Sequence, residues 1–513
     1  MNVMGSPSRQ KLAVRRLTNV TRMQRTRTAR RGRNRRPPTP HSGRRHSNVS
    51  LSSPLRSRAV TYRTLRLVYS ATMALAQMPF CGRGEGSSYD DLAGSAYAST
   101  SRRRVVVTGI GVVTPFGHDV ESFWQALLAG QSCIAPITRL DTSDFPIHFG
   151  GQVADVATNP FLPASLIRRN DLSTNIGLLA GGLALESAGL GALAEQRRPI
   201  SVMVGSAFGA MQGLQDVYDA FYMRGWRKMH PLSVPRNMFN SLSSNLSIQF
   251  KLGGSHHTVA AACASGAVAI GEAFRRIRHG EDDVVLAGGA DAPICGSVLA
   301  GWTQLRVLSQ HPEPAQASRP FDKDRDGLVM SEGAGMLVLE DLEHARERGA
   351  RCWGEVIGYG ASSDASHLTA PEGSGQCEAI LRALRSAGLQ PEDIDYVNAH
   401  GTSTKLNDET ETQALRAAFG DHAANLAVSA NKSMLGHTMG ASGALELVST
   451  LLTLRDDVIP PTINYCNPDP TCDLDYVPNQ ARRRPVQLAI KNSFAFGGEN
   501  AVLVVKKSEE LPQ

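Results

Sequence analysis

From Arg104 to Val505 the chain alternates short β-branched runs, glycine-rich turns and alanine-rich stretches with apolar residues at helical spacing. Residues 105–108 (VVVT) and 201–204 (SVMV) read as buried strands, being short, apolar and β-branched. Val120, Phe123, Trp124 and Leu127 fall three and four apart, which predicts a helix over 120–129 with one buried face. Strand, loop and helix continue to alternate, the pattern of an α/β protein. The pattern also recurs. In a first half, residues 259–262 lead into a helix over 264–277, a strand over 284–287 and a turn at Gly288-Gly289. In a second, residues 426–430 lead into a glycine-rich helix over 440–454, a strand over 486–490 and a turn at Gly497-Gly498. Two pseudo-duplicated halves are the expectation.

Composition adds a division that the pattern hides. The 513 residues are 42% hydrophobic and 20% charged, enough for one large globular unit or roughly two to three ordinary domains. Residues 1–84 hold 18 Arg, one Lys and no acid, so taking their +19 from the net +7 leaves −12 for the rest. An acidic body offers no basic patch for nucleic acid. Residues 1–101 are expected to form a basic, disordered leader: an organelle transit peptide, or sequence upstream of a start at Met73 or Met78. The protein is expected to be soluble, cytoplasmic if that start is mis-assigned and otherwise in the mitochondrial matrix or a plastid. Eight cysteines stand singly without CxxC pairs, which favours a reducing compartment. The best apolar stretch, 67–80, is interrupted by Ser70, Thr72, Gln77 and Pro79 and is too short to span a bilayer.

The candidate chemistry lies at strand ends. Cys263, in Ala-Ala-Ala-Cys-Ala-Ser-Gly, sits where an apolar strand gives way to a helix, so unpaired backbone N–H groups and the helix dipole would favour its thiolate. A buried structural cysteine is the other reading. His400 opens the hydroxyl-rich loop Gly-Thr-Ser-Thr, and His437 stands in the glycine-rich passage from Lys432 to Gly443. Both positions suit an active-site donor. The wide separation of 263, 400 and 437 lacks the short ligand spacing of structural zinc sites, so no metal is expected. Two motifs are decoys. Asp322-Lys-Asp324-Arg-Asp326-Gly327 has its Glu332 one residue early for a calcium loop and reads as a polar turn, and Gly109-Ile-Gly111 lacks the third glycine of a dinucleotide loop.

Five blocks in order carry a resemblance: 105–117 (VVVTGIGVVTPFG), 258–266 around Cys263, 398–404 (NAHGTST), 432–440 (KSMLGHTMG) and 492–498 (NSFAFGG). Over about residues 102–507 the chain resembles the beta-ketoacyl-acyl carrier protein synthases of type II fatty acid synthesis, within the thiolase-like condensing enzymes. The resemblance implies a five-layer αβαβα fold, with an N-terminal half over 102–350, a C-terminal half over 351–508, and a homodimer. It implies that Cys263 holds an acyl group while His400 and His437 act on a malonyl thioester, giving a 3-oxoacyl thioester. A discrete ketosynthase of polyketide or specialised lipid synthesis is the alternative. The partner would be an acyl carrier protein, whose phosphopantetheine brings the malonyl and acyl thioesters; no cofactor bound by the enzyme, no nucleic acid and no membrane span are expected.

Further roles follow from the same matching. Lys432 and Glu446 would support the site as an ion pair. Backbone N–H groups of Cys263 and Phe496 would form an oxyanion hole, Phe494 and Phe496 a gate, and Thr369, Thr402 and Thr404 pantetheine contacts. Asp408 and Glu411 match acidic support positions, with a solvated loop or surface pair as the equal alternative. Phe208 would shorten the acyl pocket and favour short or atypical primers. Lys491 would stand in for a monovalent cation that some relatives bind beside Asn492, and Ala495 and Glu499 depart from the usual gate loop.

Overall fold

The computed structural model describes residues 102–508, so the expected leader over 1–101 lies outside the described residues. Strands β1 (Val105–Val113), β2 (Ser201–Gly205), β3 (His256–Val259), β4 (Val284–Asp291) and β5 (Gly333–Asp341) come first in the chain. They are followed by β6 (Gly354–Ser363), β7 (Tyr396–Asn398), β8 (Ala427–Ser429), β9 (Leu488–Ala495) and β10 (Glu499–Lys506). Hydrogen bonding orders the first five 1-5-4-2-3 and the second five 6-10-9-7-8, one topology used twice. Directions repeat as well: 1-5 and 5-4 are antiparallel and 4-2 and 2-3 parallel, matched by 6-10, 10-9, 9-7 and 7-8. The two modules join where Val105, Val106 and Val107 of β1 pair with β6.

Helices α1 (Val120–Leu128), α2 (Leu172–Ser187), α3 (Met211–Arg224), α4 (Ser241–Phe250) and α5 (Ser265–Arg278) belong to the first half. After α6 (Gly296–Leu305), the second half contributes α7 (Gly373–Ala387), α8 (Lys405–Phe419) and α9 (Ser442–Asp456). On one outside, α2 packs on β1, β4 and β5 with α4 beside it; on the other, α7 packs on β6 and β10 with α8 beside it. Between the modules lie α5 and α9, packed on each other. The result is a five-layer αβαβα stack. A helix covered on both sides needs apolar or self-satisfied residues all round. Accordingly α9 is buried from Ser442 through Leu454, and its Thr450 and Thr453 hydroxyls donate to the carbonyls of Glu446 and Ser449.

Two expectations from sequence are corrected. Gly288-Gly289 is not a turn but the middle of β4, which runs on to Asp291. A Cβ at Gly288 would collide with the Gly335 carbonyl of β5, and one at Gly289 with the Gly440 carbonyl, so the pair marks close approach of backbones. Residues 259–262 are not a strand: β3 ends at Val259, and Ala262–Ala264 form a 3-10 turn before α5. That turn has a counterpart. Ala262-Cys263-Ala264-Ser265-Gly266-Ala267 opens α5 as Met439-Gly440-Ala441-Ser442-Gly443-Ala444 opens α9, and Ala262 and Met439 both hold the left-handed backbone, with φ of 44° and 51°. Cys263 and Gly440 are equivalent positions in the two halves.

Candidate active site

Each candidate side chain is delivered by the end of a regular element. Cys263 lies in the turn that starts α5, His400 follows β7, and His437 stands between the short helix Lys432–Leu435 and the turn Met439–Ala441. The three come together in the fold: their ligand-type atoms lie within 4.8 Å of one another, and all three residues are buried. The two imidazoles meet edge to face, with centroids 5.6 Å apart and planes at 84°.

Hydrogen bonds fix which nitrogen carries each proton. The Met439 N–H lies 3.1 Å from His437 Nδ1, and Lys432 Nζ lies 3.3 Å from His400 Nδ1. An ammonium and an amide N–H can only donate, so both Nδ1 atoms accept and both protons sit on Nε2. Burial, aided by the Lys432 charge, holds both imidazoles well below the usual histidine range, hence neutral. Two neutral Nε2–H donors beside one sulfur can stabilise an oxygen that gains negative charge.

Behind the histidines lies a buried ionic cluster. Lys432 Nζ donates to Glu446 Oε1 at 2.5 Å and to the His400 carbonyl at 2.7 Å. Lys491, fully buried, sits 2.7 Å from Glu446 Oε2 and also donates to Asn492 O and Ser493 Oγ, each at 2.5 Å. Glu411 accepts the His400 and Gly401 N–H groups, both at 2.8 Å, and Asn492 Nδ2 at 3.1 Å. Asp408 accepts Phe321 N–H at 2.9 Å with Arg325 at 3.7 Å. Both acids are wholly buried, so the solvated-surface reading is set aside.

A cavity of about 340 Å³ opens over these groups, lined among others by Cys263, His400, His437, Thr369, Thr402, Thr404, Phe494 and Phe496. Thr402 and Thr404 share a hydroxyl contact of 2.9 Å. Phe494 meets the His400 ring edge-on, and Phe496 stacks on Trp302 at 5.6 Å. Phe208 does not line this cavity; it packs into the apolar cluster of Trp302 and Met439, against which Phe496 also rests.

The family comparisons agree with this architecture. The model described as beta-ketoacyl synthase, N-terminal domain, matches residues 102–345, and that of the C-terminal domain matches 353–466. The chain is a beta-ketoacyl synthase. Curated relatives called 3-oxoacyl-acyl-carrier-protein synthase 2 include one from a Synechocystis species, 43% identical over 80% of this chain and 99% of its own length. Another, from Coxiella burnetii, is 43% identical over 79% and 99%. Among solved structures, the ishigamide ketosynthase/chain length factor matches with TM-score 0.75 and 38% identity, over 80% of this chain and all of that one. A type II polyketide ketosynthase solved with its acyl carrier protein matches with TM-score 0.73 and 31% identity, over 79% of this chain and all of that one.

The synthase's cysteine departs from the thiolate expected of its helix start. Burial pushes the thiol up to about 11, opposed by Lys432 and by the backbone N–H groups of Phe496 and of Cys263 itself, while Asp291 adds to the rise. Both N–H groups thus lie close to the sulfur. A zinc ligand histidine normally donates its second N–H to an acceptor, whereas here each Nδ1 faces a donor, so the trio is poorly set up for metal. The polar turn at 322–327 likewise spends its carboxylates internally: Asp322 accepts Cys466 and Asn467 N–H, and Asp326 accepts Ser309 Oγ and Gln310 N–H. Sequence reasoning missed two neighbours of the synthase's site. Trp302 ends no motif, and Asp291 showed only as an acid closing the apolar run VVLAGGAD.

Proposed function

We propose that this synthase carries out a decarboxylative Claisen condensation on carrier-bound thioesters, a reading that fits relatives called 3-oxoacyl-acyl-carrier-protein synthase 2. The observation that carries this reading is the meeting of Cys263 with two imidazoles whose protons are held on Nε2. Cys263 sulfur attacks the carbonyl of an acyl thioester and the carrier thiol leaves with the cysteine's proton. The N–H groups of Cys263 and Phe496 stabilise the oxyanion of that step. Malonyl thioester then enters between Thr369, Thr402 and Thr404, which contact the phosphopantetheine arm of an acyl carrier protein. Its carboxylate leaves as carbon dioxide, and the bonding pair passes into an enolate whose oxygen accepts from both Nε2–H groups. The carbanion attacks the acyl carbonyl on Cys263, the sulfur leaves and regains a proton, and a 3-oxoacyl thioester two carbons longer results. Lys432 and Glu411 hold His400, with Glu446 and Lys491 behind Lys432, and none of the four touches substrate.

Fatty acid synthesis is the main setting. Polyketide synthesis is the second reading, favoured by the type of the structural neighbours and by Phe208, whose bulk beside Trp302 suits short primers. The test is malonyl-carrier supplied with a ladder of acyl-carriers, following carbon dioxide and product length, with Cys263→Ala as control. Release of carbon dioxide and a longer 3-oxoacyl product are expected, strongest for short primers. Absence of both from every primer would overturn the reading.

The assembly is a homodimer. The two terminal strands of the ten-stranded sheet are equivalent in the repeat, yet their surroundings differ. β8 is buried, and Val428 N–H donates to the Asp475 carbonyl of the chain's own C-terminal segment. Among the described residues β3 has no such cover and exposes His256 and His257, and a bare edge beside apolar surface invites a second copy.

A further inference from the structure

Asp291, the last residue of β4, is wholly buried, and no step above uses it. Its two oxygens gather four hydrogen bonds from loops in opposite halves of the fold. Oδ1 accepts Ser206 Oγ at 2.6 Å and Phe208 N–H at 3.2 Å; Oδ2 accepts Ala207 N–H at 2.8 Å and Gly440 N–H at 2.7 Å. The first loop follows β2 and sends Phe208 into the apolar cluster with Trp302 and Met439. The second is the turn that begins at His437. Met439, directly before Gly440, donates the N–H that keeps the His437 proton on Nε2.

The pseudo-repeat explains why this carboxylate stands there. Gly440 occupies in the second half the position that Cys263 occupies in the first. A Cβ at Gly440 would lie 2.5 Å from Asp291 Oδ2 and 2.6 Å from Ala207 N. The space where a second nucleophile would project is filled by the Asp291 clasp instead. Three of the four donors are backbone N–H groups, which cannot reverse to become acceptors, so only a two-oxygen acceptor satisfies the set.

We propose that Asp291 is a positioning residue that clasps the Phe208 loop to the His437 turn, keeping the apolar cluster beside the cavity and the His437 imidazole in one relative placement. This rests on the roles given above to Cys263, His400 and His437. An asparagine at 291 would turn its oxygen to the Ala207 and Gly440 N–H groups and its amide to Ser206, whose hydroxyl can accept. It keeps the Gly440, Ala207 and Ser206 contacts and turns an N–H toward that of Phe208, so only the Phe208 contact is lost.

The test uses the full chain, with acyl-enzyme formed first and carbon dioxide release from malonyl-carrier measured separately across a primer ladder. Asp291→Asn is expected to alter the primer profile while keeping carbon dioxide release within a few-fold. Asp291→Ala is expected to lose both, release falling by about tenfold, the scale of a lost buried hydrogen bond expressed as a rate. Because the carboxylate's charge opposes ionisation of Cys263, both variants should be alkylated by iodoacetamide faster than wild type at fixed pH, which a merely structural residue would not cause. Should Asp291→Ala fail to fold, Ser206→Ala removes one donor and should shift the primer profile alone. Folded Asp291 variants with wild-type profile, release and alkylation would overturn the proposal, as would a uniform loss over all primers with unchanged alkylation. If wild type itself releases no carbon dioxide, the condensation reading fails instead, and the alkylation rates still decide the role of Asp291.

Discussion

His400 and His437 serve as N–H donors only while their imidazoles stay neutral, and that neutrality links stability to pH. Both are held well below the usual value of about 6.5 by burial and the Lys432 charge. Below that pH the unfolded chain takes up two protons that the fold refuses. Stability is therefore full above it and is lost as pH falls, by up to about 1.4 kcal/mol per pH unit for each histidine. Urea titrations between about pH 7.5 and about pH 5.5 should show this fall in wild type and a flatter dependence in a His400→Asn/His437→Asn variant; equal slopes would contradict it. Lys491 offers a second test. Its ammonium, lowered by burial to about 8, still counters Glu446 at neutral pH. Lys491→Met should cost roughly 3–5 kcal/mol, the usual penalty for stranding a buried charge, and a loss below about 1 kcal/mol would show that Lys432 alone suffices. At this scale the cysteine and histidines were readable because each stands in a glycine- or hydroxyl-rich passage at the end of an apolar strand. Glu411 and Asp408 were readable only through the family match, with a solvated surface as the equal alternative, since KLNDETETQALRAAF is acidic in texture and the groups that meet them, Phe321, Arg325, His400, Gly401 and Asn492, come from other elements.

The elements that carry the chemistry are one motif used twice, and the two turns differ at two positions, Ala262 against Met439 and Cys263 against Gly440. Substitution should therefore be asymmetric. Cys263→Ala shortens a side chain that faces the cavity and should leave the melting temperature close to wild type. Gly440→Ala drives a Cβ into Asp291 and Ala207 and should cost about 1–3 kcal/mol by overpacking, visible as a lower melting temperature. Equal melting temperatures for the two variants would mean that the Gly440 turn yields without strain. The same copies show where pattern reading stopped. Alternating runs and helical spacing placed the helices over 120–129, 264–277 and 440–454 to within about two residues of α1, α5 and α9, because burial on one or both faces imposes those periods. They cut β4 short at 287 and read the turn before α5 as strand. A glycine pair inside a strand looks the same in sequence as a glycine pair in a turn, and a left-handed alanine such as Ala262 leaves no mark on the pattern.

At the scale of the whole molecule, the repeat predicts two similar sheet edges, and the fold finishes only one of them. Residues 457–484 continue past α9 and lay the 474–478 segment along β8, whereas β3 receives no such cover among the described residues. Around β3 the surface is apolar as well. α3 packs on the short helix Ser233–Asn237, which packs on α4, which packs on β3. Along that path Tyr222, Trp226, Val234 and Ile248 stand 77%, 65%, 72% and 66% exposed. Large apolar side chains left this open on a continuous face mark an interface. The open edge adds unpaired backbone groups that a second β3 satisfies by symmetry, since one two-fold contact uses the same patch on both copies. Sedimentation at micromolar concentration should give twice the mass of one chain. Placing charge in the middle of the face, as in a Trp226→Glu/Ile248→Glu variant, should give the single-chain mass. The chemistry separates dimer loss from misfolding: neither residue lines the cavity around Cys263, so a folded monomer should still be alkylated at that cysteine. A wild-type protein that sediments as a single chain would mean that β3 is covered by something other than its own copy.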